Sequence, residues 1–143
     1  MTNKGKYYES QFEEATIKLL REAHWQYAFG DDIHRKYTDP LIEEDLRNFL
    51  AVQYKDKNLT TSEMDSIVAN LRNTGGQNDY YALRNTFLLY RDGYDFAYSD
   101  GRSNPFRLEY IDFEHPDHNI FRCVNQFVME QGRENRRPDI LLF

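Results

Sequence analysis

At 143 residues, with 40% hydrophobic and 29% charged content, the chain has the length and balance of one globular domain with a sizeable core. Its net charge of −6 excludes a protein that coats nucleic acid through a general basic surface, but it leaves room for an acidic metal site with phosphate contacts on one face. One cysteine, Cys123, excludes an internal disulfide framework. No apolar run approaches the ~20 residues that span a bilayer and no apolar stretch follows the first residues, so a cytoplasmic protein without membrane contact is expected.

Tyr8, Phe12, Ala15, Thr16, Leu19, Leu20 and Ala23 recur at helical spacing and predict a first helix over 8–23. Trp25 to Phe29 alternates apolar and polar and reads as a short strand closed by Gly30-Asp31-Asp32. Asp39-Pro40 is expected to open a second helix, with Asp39 as N-cap and Pro40 at the first helical position. Its apolar face would be Leu41, Ile42, Leu46, Phe49, Leu50 and Tyr54. Thr60-Thr61-Ser62-Glu63 fits a capping box for a third helix, with Met64, Ile67, Val68 and Leu71 inward and Gly75-Gly76 beyond its end. A fourth helix runs from Asp79 to Asp92 and stops at Gly93.

After Gly93 the period changes from helical to alternating. Tyr94–Tyr98 and Phe106–Phe113 read as strands joined around Asp100-Gly101, followed by strands over 119–129 and 137–143. Helices first (about 8–92) and strands afterwards (about 94–143) indicate an α+β, or mixed α/β, domain. With no glycine, charge or cap after the last strand, the sheet is expected to be incomplete where the sequence stops. That strand should then promote self-association through its open edge. There is no internal repeat and no Gly-rich phosphate loop.

Chemistry concentrates at the C-terminal end. Asp139 follows Pro138 and opens the apolar run Ile140-Leu141-Leu142-Phe143, so its carboxylate would be held at the mouth of a strand, where a divalent metal could be anchored. Taken alone, Pro-Asp is ordinary turn chemistry. Arg133, Arg136 and Arg137 could meet phosphates or be solvated loop charges. On the first helix Glu13 shares a face with Glu9, while Glu14 is rotated away; a solvated helical face is the competing reading for all three. His115-Pro116-Asp117-His118 reads as a turn, because no distant third ligand accompanies the histidines. Asp39 to Asp65 carries seven acids against three bases, a surface on which a non-catalytic protein-interaction domain could rely.

Asn125-Gln126-Phe127-Val128 followed by Asn135-Arg136-Arg137-Pro138-Asp139-Ile140-Leu141-Leu142-Phe143 resembles the N-terminal nuclease domain of the R (restriction) subunit of type I restriction-modification enzymes. Phe12-Glu13-Glu14-Ala15, Asp39-Pro40-Leu41-Ile42-Glu43-Glu44-Asp45-Leu46, Arg91-Asp92-Gly93 and Ile111-Asp112-Phe113-Glu114 fit in the expected order. The resemblance implies a restriction-endonuclease-like PD-(D/E)xK fold in which Asp139 binds Mg²⁺, with an acid of the opening helix, Glu13, facing the site; Gln126, in the matching block, could reach the substrate backbone or serve in strand pairing or a turn. It implies double-stranded DNA as substrate, modification (M) and specificity (S) subunits as partners, and ATP bound outside this segment. The Glu-x-Lys strand of that pattern is missing before Phe143, so the chain by itself is expected to be inactive.

Overall fold

A computed structural model describes residues 8–74 and 78–143. In chain order the elements are α1 (Glu9–Glu22), β1 (Gln26–Phe29), α2 (Glu43–Gln53), α3 (Thr61–Arg72), α4 (Asp79–Asp92), β2 (Tyr94–Phe96), β3 (Phe106–Leu108), β4 (Arg122–Asn125), β5 (Met129–Gln131), β6 (Glu134–Arg136) and β7 (Ile140–Leu142). The architecture is α+β, as the patterning predicts. Among the described residues no helix is long and apolar enough to cross a membrane.

The chain forms two compact units. One comprises the residues up to Pro40 together with Ile120–Phe143, and the other is Leu41–Asn119, inserted between them. In the first unit β1 pairs in parallel with β4 (Gln26 opposite Arg122, Phe29 opposite Asn125), and β4 pairs antiparallel with β7 (Cys123 opposite Leu142, Asn125 opposite Ile140). The sheet order is therefore β1-β4-β7. The sequence-based division near residue 93 into a helical and a sheet part is crossed by β1, which joins the sheet from the helical side. Cys123, Val124 and Phe127 are fully buried, and the Phe127 ring lies against Phe143 with centroids 4.9 Å apart. Cys123 thus behaves as a small core hydrophobe.

The inserted unit buries Phe49 and Leu50 of α2 and Ile67, Val68 and Leu71 of α3 with Phe96, Leu108 and Tyr110 of the β2–β3 region. The capping box of α3 is present, since the Glu63 main-chain N–H donates to Thr60 Oγ1 and the Thr60 N–H donates to Glu63 Oε2. Gly75 and Gly76 lie outside the described residues.

Three expectations are corrected. Helix α2 begins at Glu43 rather than at Pro40: Asp39 is held in a turn, its N–H donating to the Lys36 carbonyl and its own carbonyl accepting from Arg35. The acids Glu43, Glu44 and Asp45 then occupy the first helical turn, where the helix dipole favours them. The strand expected over 119–129 divides into β4 and β5, because Gln126 has a left-handed backbone (φ 56°). The strands after Gly93 are also shorter than expected, β3 ending at Leu108 before a loop tied down by Asp112.

Candidate functional site

The end of β4 collects polar side chains from three elements. Asn125 closes the strand, and Gln126 follows in its left-handed conformation. That conformation depends on Gly30, which follows β1: a Cβ there would fall 2.3 Å from the Gln126 carbonyl oxygen. The bare glycine lets the two strand ends close together, and Gln126 turns out of the ladder.

Gln126 is the junction. Its main-chain N–H donates to the Asp139 carbonyl at 3.0 Å, fixing the entrance of β7, while its side-chain Nε2 lies 3.3 Å from both carboxylate oxygens of Glu13. Asn125 Nδ2 donates to Glu13 Oε1 at 2.7 Å, and Asn125 Oδ1 in turn accepts from the Tyr27 hydroxyl at 2.8 Å. Burial first, and then the Glu13 carboxylate, push the Tyr27 phenol above its ordinary pKa. Tyr27 therefore remains a proton donor and fixes the Asn125 amide with its NH₂ toward Glu13.

Of the three candidate acids on α1, Glu13 is half-buried against the sheet, whereas Glu9 and Glu14 are exposed. Glu13 and Asn125 line an open cleft of about 720 Å³ with Ser10, Ile17, Arg21 and Tyr27. Asp139 is exposed and stands outside that lining; its connection to Glu13 runs through the backbone and side chain of Gln126.

The sequence matches one known family. The description that matches is the type I restriction enzyme R protein N terminus, over residues 6–143. The chain belongs to that family. It is also similar to the type I restriction enzyme HindI endonuclease subunit of Haemophilus influenzae, at 29% identity over 94% of this chain and 14% of the relative. The chain thus spans about a seventh of the length of that relative. No solved structure matches.

Within this R protein segment Arg133 and Arg136 belong to a hairpin, and Arg137 follows it. β5 and β6 pair antiparallel, Met129 opposite Arg136, around a tight turn at Gly132 (φ 62°) and Arg133. Arg136 and Arg137 are exposed just before Asp139, with Arg136 Nη2 3.2 Å from Glu134.

Tyr27 was missed as a site residue; its partner Asn125 is 98 residues away, beyond the reach of local spacing. His115-Pro116-Asp117-His118 does form a turn, and a nearby carboxylate, Asp112, which a search for a distant partner passes over, lies beside both histidines. Asp112 closes a group whose donor atoms lie within 4.8 Å of one another, the group of three such ligands found among the described residues. The spacing Asp-x-x-His-x-x-His was the signal.

Proposed function

We propose that this chain supplies the first metal-binding acids of a DNA-cleaving R subunit of the PD-(D/E)xK type. Asp139 would be a ligand to Mg²⁺ and Glu13 the helix-borne acid beside it. The observation that carries the reading is Gln126, which holds the Asp139 main chain and the Glu13 carboxylate at once. Membership of the R protein family, and the endonuclease named in its relative, support carrying that activity to the longer protein.

The donor set fits the ion, because Mg²⁺ takes hard carboxylate oxygens and keeps several waters. When bound, Mg²⁺ polarises a scissile phosphate and lowers the pKa of the attacking water. The chain's own residues position the acids: Tyr27 orients Asn125, and Asn125 and Gln126 together hold Glu13 against the sheet. Arg133, Arg136 and Arg137 offer phosphate contacts beside Asp139 on a chain whose overall net charge is −6. The remaining acid and lysine of the nuclease set, the ATP-driven motor and the contacts to the modification and specificity subunits would belong to the longer protein. The chain alone is therefore expected not to cleave DNA.

An interaction domain built on the acidic helical surface has less support. Glu43 pairs with Arg47 and Arg72, Asp65 with Arg47, and the buried Glu63 with Arg102, so much of that charge is satisfied within the fold.

In the full-length protein, Asp139→Ala should abolish DNA cleavage while assembly with the partner subunits and ATP hydrolysis continue. Glu13→Gln should reduce cleavage without changing assembly. Cleavage that survives Asp139→Ala would remove Asp139 from the site.

A further inference from the structure

Asp112, His115 and His118 sit on one short loop of the inserted unit, three residues apart. The turn Pro116–His118 is a 3₁₀ segment, which brings side chains three apart into register. The two imidazoles accordingly stack, with centroids 4.9 Å apart and an interplanar angle of 18°. Both face solvent, while the Asp112 side chain is only 7% exposed.

Asp112 is held from several directions. Its Oδ1 accepts the main-chain N–H of His115 at 2.8 Å and of Glu114 at 3.1 Å. Its Oδ2 accepts Gln53 Nε2, from α2, at 2.9 Å. Asn119 fixes the loop on the other side, accepting the Asp112 N–H and donating to the carbonyls of Asp112 and Pro116. The same Oδ2 lies 3.0 Å from His118 Nδ1 and 3.5 Å from His115 Nδ1.

Those separations have a chemical meaning. Donors bound at about 2.0–2.2 Å to one ion in tetrahedral geometry stand roughly 3.3–3.6 Å from one another, so small rotations of the exposed rings would place the three donors around one ion. Two imidazoles with one carboxylate are borderline donors that suit Zn²⁺ and its neighbours, whereas Mg²⁺ and Ca²⁺ take oxygen ligands. The network around Asp112 is of the kind that orients a metal-bound carboxylate.

We propose that Asp112, His115 and His118 form a binding site for a single Zn²⁺ ion, with its fourth position open to solvent. The site lies wholly within the inserted unit, and it is independent of the proposed Mg²⁺ chemistry at Asp139 in residues and in metal class.

The test is a Zn²⁺ titration of the full chain, stripped of metal by chelator at neutral pH and followed by calorimetry, with Co²⁺ substitution read by visible absorption. One saturating equivalent is expected, with the d–d bands of a low-coordinate nitrogen–oxygen site. His115→Ala and His118→Ala should each weaken binding by about tenfold or more, and Gln53→Ala by about tenfold through Asp112 alone. His24→Ala/His34→Ala, which removes the chain's other two histidines, should change nothing. All five substitutions leave Asp112 in place as the loop's anchor, so circular dichroism should be unchanged. Absence of saturable binding would overturn the site and leave the cluster as a hydrogen-bonded loop anchor; unchanged affinity in the His115→Ala/His118→Ala double variant would overturn it equally.

Discussion

Glu63 closes the capping box of α3, accepts from Ser99 and takes two hydrogen bonds from Arg102 at 2.8 and 2.7 Å, all while 3% exposed. Arg102 first, and then the Thr60 N–H, hold its carboxyl far below the ordinary value of 4.5. A carboxyl depressed in this way stabilises the fold above the unfolded-state value, and that stabilisation is lost as pH falls toward the folded-state value. Stability should thus hold above pH 4.5 and decline steadily below it. Glu63→Gln should lower stability at neutral pH and flatten the acid decline, as read from urea midpoints across a pH series; an equal acid slope in the variant would assign the decline to other carboxyls. Gly30→Ala acts through volume instead. Its Cβ would strike the Gln126 carbonyl, and a loss of about 1–3 kcal/mol is expected in the same measurement.

Elements whose signals are local were legible in the sequence. The Thr60–Glu63 capping box marked the start of α3, and Asn78 and Gly93 bracket α4 at the expected place. Thr60→Ala should accordingly cost about 1 kcal/mol, visible as a lower thermal midpoint with the fold retained. Elements set by distant partners were not legible. Asp39-Pro40 carries a sound helix-start signal, yet Arg35 and Lys36 keep Asp39 in a turn. The split of β4 from β5 follows from Gly30 meeting Gln126, a contact between strands far apart in sequence. The site divides in the same way. Asp139 at the mouth of a strand could be read from the apolar run behind it, whereas Glu13 shares its helical face with Glu9 and was singled out only by the family resemblance. The amides that hold Glu13, and the tyrosine that orients one of them, needed the sheet.

At the scale of the whole molecule, the unit Leu41–Asn119 is continuous in sequence, while the sheet of the other unit is closed by β1 and β4 from either side of it. Gln26 and Arg122, opposite each other in that pairing, are 96 residues apart in the chain. Closing so long a loop carries an entropic cost before any contact rewards it, and contacts of high sequence separation form slowly. During synthesis, then, α1 and β1 emerge before the insertion and wait. The strand that will receive β1 does not exist until the entire insertion has been translated, and Tyr27 and Phe29 pass that interval without their ladder. The unit begun before the insertion is completed only after it.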